Sequence, residues 1–183
     1  MDKIEQMVRD VLHGANDGAV KDRLGVKGHV AYRLIGPDGV VKAAGETDNI
    51  VTDKGDALFA SLAYTAAPTF NIRLGKTATA ASKTYDNAGG WIADADSEAD
   101  GQQGMDSTYP KVGASANIVQ FRTTFDAGDA TATWNRAALV DSTESNPSDG
   151  TLTYAIALLP DRPVVKGAAD TLEITWTISF LGA

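Results

Sequence analysis

The last strand-length stretch of the chain, ADTLEITWTISFLGA, constrains the fold more than any other. Leu172, Ile174, Trp176, Ile178 and Phe180 alternate with Thr171, Glu173, Thr175, Thr177 and Ser179. A period of two held over ten residues specifies a half-buried β-strand, since successive side chains point to opposite faces. The apolar set predicts a core layer, with these five residues as its anchors. The polar set, hydroxyls and one carboxylate, predicts a face that is solvated or laid against another subunit.

The same pattern recurs upstream. HVAYRLIGPDGVVKAAGE reads as a hairpin around Gly36-Pro37-Asp38-Gly39, where Pro37 presets φ, Asp38 bonds back to the backbone and Gly39 accepts a positive φ. Further strands are expected at 70–74, 116–125, 130–139, 151–159 and 171–180. A short helix, capped by Thr52 or Asp53, should turn Leu58, Leu62 and Phe59 inward. Residues 2–13 read as an amphipathic helix with Ile4, Met7, Val8, Val11 and Leu12 on one stripe and Gly14 beyond it. A helix this short needs a surface to pack on, in its own domain or in a neighbour. The expected organisation is a helical arm over 1–27 and an antiparallel β-sandwich, jelly-roll-like, over 28–183. One short internal helix and a long excursion at about 76–110 complete it.

Charge is distributed unevenly. The net charge is −8 in 183 residues. Six acids and no base fall between Asp86 and Tyr109, and three more acids without a base between Asp141 and Gly150. The remainder holds 15 acids against 16 bases, so the acidity belongs to two loops. No basic stripe is present to neutralise phosphates, which argues against nucleic acid as a partner. The apolar runs are too short to span a bilayer, and MDKIEQMVRDVLHG does not read as a secretory signal. With no cysteine, thiolate metal sites, disulfides and cysteine nucleophiles are excluded.

Candidate chemistry is sparse. His13 and His29 lack ligand partners at useful spacing, and no phosphate loop, nucleophile elbow or His-Glu-x-x-His stands in the chain. Asp96, Glu98 and Asp100 before Gly101 imitate the first half of a calcium loop, but Ser107 stands where the closing bidentate acid belongs. They are weak metal candidates against a solvated acidic loop. Trp134 and Trp176 lie in alternating strands. Trp91 follows Gly89-Gly90 in the acidic excursion and is a candidate contact residue. The expectation is a protein without enzymatic activity, cofactor or membrane.

The order of motifs resembles that of small virion structural proteins of tailed bacteriophages, of the capsid-decoration or minor-capsid type. The matching features are the hairpin Gly28–Glu46, the segment Asn49-Ile-Val-Thr-Asp-Lys-Gly55, and the strand Asn71-Ile-Arg-Leu-Gly75 leading into Lys76–Thr84. Paired strands at Ile118–Phe125 and Ala130–Leu139 follow, then Leu158–Lys166 and Asp170–Phe180. The chain departs from that plan at Arg136-Ala137-Ala138-Leu139, where an acid ordinarily stands, and in the length of its acidic loop. The resemblance implies a non-enzymatic virion component made in a bacterial cytoplasm. It would bind the major capsid protein on the particle's exterior, with copies of itself, often as a trimer. A tail or fibre-base adaptor and a carbohydrate-binding sandwich using Trp91 are the alternative expectations.

Overall fold

The computed structural model describes residues 25–62, 65–76, 78, 83, 101–143 and 153–181. The helix expected over 2–13, with Ile4, Met7, Val8, Val11 and Leu12, lies outside the described residues, as do Trp91, Asp96, Glu98 and Asp100. Among the described residues the chain forms eleven strands and one helix. The strands are β1 (Gly25–Ile35), β2 (Val41–Val51), β3 (Phe70–Gly75), β4 (Gln102–Gly104), β5 (Lys111–Val112), β6 (Ile118–Phe125), β7 (Ala132–Trp134), β8 (Arg136–Asp141), β9 (Thr153–Leu158), β10 (Val164–Lys166) and β11 (Thr171–Leu181). The helix α1 spans Asp53–Ser61.

Nine of these strands make one antiparallel sheet in the order β4-β3-β8-β9-β2-β1-β11-β6-β5, and β10 pairs with β7 in a separate ribbon. The sheet curls into a half-barrel. The curl has two visible causes. β2 pairs with β1 from Val41 to Asn49 and then crosses to β9 through Ile50 and Val51. At the ends of the strand order, β4 and β5 are joined by residues 105–110, which run beside β6. The Asp106 N–H donates to the Arg122 carbonyl at 2.8 Å, and the Thr123 hydroxyl donates to the Gly104 carbonyl at 3.1 Å. The two outermost strands are thereby tied to one another, which leaves little open sheet edge for unintended pairing.

Local chemistry accounts for the main elements. In the β1–β2 turn, Gly39 takes φ +77° and Asp38 Oδ1 accepts the Val40 N–H at 3.1 Å, as the turn residues predict. Thr52 is the N-cap of α1: its Oγ1 accepts the Gly55 N–H at 3.0 Å and donates to the Thr153 carbonyl at 2.7 Å. A side chain at Gly55 would stand 2.1 Å from the Tyr154 carbonyl oxygen, so the helix can lie this close to β9 only with glycine there. Phe59 is the buried residue of the helix's apolar set, while Leu58 and Leu62 pack half-buried against the core.

The core fills the inside of the curl. Leu172, Ile174, Trp176 and Ile178 are fully buried, and Phe180 is half-buried with its ring edge-on to Phe59 at 5.5 Å. Register places Trp176 between Val30 and Phe121. Trp134, also fully buried, donates its indole N–H to the Ala130 carbonyl at 2.8 Å. Two features differ from expectation. Residues 101–110, expected as part of a surface loop, carry β4 and the tie to β6, because their alternating small and polar residues hid a short paired strand. Residues 130–139, expected as one strand, break at Asn135 into β7 and β8. The Asn135 N–H donates to the Gly75 carbonyl and its carbonyl accepts from the Leu159 N–H, so its backbone bonds leave the ladder.

Candidate interaction surface

The outside of the curl, over β2, β1, β11, β6 and β5, is a single polar face. Antiparallel register puts opposed residues on the same side of a sheet; three central rows are polar, and the outer ones add Lys27 and Ile118 beside Ser179 and Ile35 beside Thr171. One row runs Asp48, His29, Thr177, Gln120, Lys111. The next runs Glu46, Ala31, Thr175, Arg122, and the third Ala44, Arg33, Glu173, Thr124. The polar half of the closing strand is therefore the middle of this face, flanked by two strands on either side.

Ion pairs order parts of it. Arg33 Nη1 donates to Glu173 Oε2 at 3.2 Å, a partly exposed pair of the kind that contributes about 0–1 kcal/mol. Asp106, from the segment that ties the sheet ends, is better engaged. Its Oδ2 accepts from Arg122 Nε at 2.6 Å and from the Thr124 hydroxyl at 3.0 Å, and its Oδ1 accepts the Thr124 N–H at 3.0 Å. The hydrogen bond to Asp106 pushes the Arg122 guanidinium further up from its ordinary value. Tyr109 lies between two cations, with Arg122 Cζ at 4.9 Å and Lys111 Nζ at 4.5 Å from its ring centre. Sequence reasoning placed Asp106 in a loop and gave it no role; nothing in the local pattern signals a pairing 16 residues away.

His29 meets Glu46 Oε2 through Nε2 and Asp48 Oδ1 through Nδ1, each at 3.3 Å. The two carboxylates sit on opposite ring nitrogens and so do not converge on a common point. Among the described residues no three His, Cys, Asp or Glu side chains could hold a metal ion. Arg136, at the point where the chain departs from the phage-protein pattern, is fully buried in β8.

Where β2 leaves β1 for β9, a cleft of about 320 Å³ lies between β2, β9 and the turn that follows β9. Ile50, Ile156 and Leu158 make its apolar part, and Asp48, Pro160 and Arg162 also line it. Asp161, in the turn beside it, takes a left-handed φ of 52°, which Asp tolerates better than most residues.

At the end of the curl marked by the β1–β2 turn, the 126–129 and 167–170 turns are pinned by two charges. Lys166 is buried and its Nζ donates to the carbonyls of Asp126 and Asp129 at 2.8 and 2.6 Å; burial pushes its ammonium below the usual lysine value. Asp170 accepts from Lys42 Nζ at 2.8 Å and from the Gly167 N–H at 3.0 Å. The first of these, with help from the second, holds its carboxyl below the usual aspartate range. Both are structural pins, each engaged with the fold's own backbone. No protein-family model matches the chain, nor does any curated protein or solved structure.

Proposed function

We propose that this protein is a non-enzymatic structural component of a tailed-phage virion, a decoration or cement protein that binds the outside of the capsid and bridges its subunits. The observation that most supports this reading is the polar outer face. It is broad, ordered by ion pairs and built on a sheet whose ends are tied, a platform suited to rigid contact rather than to turnover. The order of sequence motifs resembling phage virion proteins supports the same reading. So does a body whose net charge of −8 disfavours packaged DNA as its partner. Many weak contacts repeated on a symmetric lattice would supply the affinity.

The finer architecture belongs to this proposal. The run β4-β3-β8-β9 and the run β2-β1-β11-β6-β5 would act as the two layers of a jelly-roll-like sandwich, with the curl at β2 joining them. The segment 1–27 would serve as the docking arm. The test is copy number in purified particles by quantitative mass spectrometry. Hundreds of copies per particle, with loss of the protein from particles lacking residues 1–25, are expected. A handful of copies would favour a tail or fibre-base adaptor, and absence from particles would overturn the reading.

A further inference from the structure

We propose that the polar outer face is a self-complementary interface, through which a second copy of this chain docks across β11 about a two-fold axis parallel to the strands. This deepens the capsid reading, which rests on the same face: it assigns that face to a second copy and leaves the arm over 1–27 for the capsid, and it requires no other protein.

The argument begins with how charge lies across the face. One flank, on β2, is acidic: Glu46 and Asp48 have side chains 75% and 94% exposed and, among the described residues, reach only His29. The other flank, on β6 and β5, is basic: Lys111 is exposed, and Arg122 stands behind it, bonded to Asp106 and within the field of Glu173. Between the flanks, Lys27 on β1 is a further exposed cation beside Ser179. β11 runs midway between the flanks, and Thr177 is the midpoint of the row from Asp48 to Lys111.

Consider the ways two such faces can meet. A two-fold axis across the strands sets acid on acid and base on base. A two-fold axis along β11 sets the acidic flank of each copy on the basic flank of the other, twice. An isologous contact also requires each residue on the axis to tolerate its own copy. Thr171, Thr175, Thr177 and Ser179 meet that requirement, because a hydroxyl both donates and accepts. Glu173 meets its copy with Arg33 bonded at its side, so the like charges arrive already compensated.

Size is adequate for a weak association. The five strands span about 19 Å across, and the eleven residues of β11 about 37 Å along. Laid flat this is a face of about 700 Å²; convexity brings the contact below the ~800 Å² per partner of a standard stable interface, which places the association in the weak class. The curl is convex here, and at the crest of the middle row Ala31 and Thr175 are short. The long Glu46 and Arg122 side chains stand on the flanks, where two convex faces leave the wider gap.

The experiment uses sedimentation of the full chain at up to about 100 μM in low salt. Self-association is expected, weakening as salt screens the flanks. The variant E46K/D48K makes both flanks basic, and K111E/Q120E makes both acidic while leaving the Arg122–Asp106 pair intact. Each alone should associate at least tenfold more weakly than the parent, and an equimolar mixture should recover association as a heterodimer. The chain lacks cysteine, so Thr177→Cys provides a single thiol lying on the axis; faces packed about 10 Å apart are too far for a direct disulfide, and a bismaleimide of about 8–10 Å span should cross-link it into a dimer. A monomeric parent at 100 μM, or charge variants that associate as tightly as the parent, would overturn the proposal. So would a mixture no tighter than its components. Far-ultraviolet circular dichroism of each variant separates lost docking from lost folding. The particle-copy measurement is independent of all these results.

Discussion

β11 and β8 belong to the same sheet and were read from the same alphabet of apolar residues, yet they solve different burial problems. β11 alternates, TLEITWTISF, with Leu172, Ile174, Trp176 and Ile178 buried and the intervening threonines half-exposed. β8, RAALVD, does not alternate, and Arg136, Ala137, Ala138, Leu139 and Val140 are all buried. Ala137 and Leu139 join the main core inside the curl, whereas Ala138 and Val140 form a second small cluster with Ile156. One half of the sheet therefore shows a polar face outward, and the other is covered on both sides. A strand buried on both faces has no reason to keep a period of two.

The sharpest way to break that comparison is to place a carboxylate on the outward side of each strand. Ala138→Asp forces a carboxylate into the fully buried cluster beside Val140 and Ile156, with buried Arg73 opposite it in the register and buried Arg136 two residues before it on the same side. Desolvation of the carboxylate and overpacking of a site that holds only a methyl group outweigh any pairing with those arginines, so the variant is expected to lose at least about 2 kcal/mol or to fail to fold. Thr175→Asp on β11 meets solvent and the nearby Arg122, and should cost no more than about 1 kcal/mol, the span of strand propensity. Urea denaturation of both variants decides the matter: equal losses would show that the two strands are not differently buried.

Next in size is Lys166, the buried cation of the 126–129 turn. Lys166→Met keeps the stem's packing but removes a charged donor from two backbone carbonyls, those of Asp126 and Asp129. Hydrogen bonds to charged groups are worth about 1.5–3 kcal/mol, so a loss of about 2–3 kcal/mol is expected, measured by the same denaturation. The gain from no longer burying an ammonium offsets part of it, and a stabilised variant would mean that this desolvation term dominates.

The two buried tryptophans extend the contrast to single atoms. Trp134 Nε1 donates to the Ala130 carbonyl, and Ala130 itself holds φ 47°. Among the described residues, Trp176 Nε1 is buried without a hydrogen-bond partner. Replacement by Phe removes similar volume from both sites. At Trp134 it also strands a carbonyl, for a loss of about 2–3 kcal/mol. At Trp176 it removes a donor that was already unsatisfied, for about 1 kcal/mol. Thermal unfolding should rank W134F below W176F.

What the sequence disclosed follows from where its signals are local. The hairpin turn, the Thr52 cap and the alternation of β11 are each decided by residues within a few positions, and each was legible. The tie between the sheet's ends was not. β4 is Gln102-Gln-Gly104, three residues with no apolar side chain, and its continuation is held by Asp106 on Arg122 and Thr124, partners fixed only by the fold. The acid that counted toward an acidic loop turned out to be a latch. The polar face had the same duality: its threonines were legible as an outer side, but the acid and base flanks exist only once register sets Asp48 and Lys111 at opposite ends of one row.

The smallest expected effect lies at a second latch, Asp170. Its carboxyl is held below the usual value of about 3.9 by Lys42 and then by the Gly167 N–H. The unfolded chain therefore binds a proton in the window between the folded and ordinary values, while the folded chain does not. Where the unfolded state binds more protons, stability rises with pH. The contribution of Asp170 is thus fully present above about pH 4 and is lost as pH falls through the lower folded value. Asp141, held down by the Thr143 N–H and hydroxyl and by Tyr154 against the opposing effect of burial, acts in the same direction. Asp170→Asn should be less stable than the parent at pH 7, with the difference shrinking as pH drops below 4. The Asp170 latch would be excluded if the two stability curves ran parallel from pH 7 to pH 3, since then no proton would be linked to folding at this site.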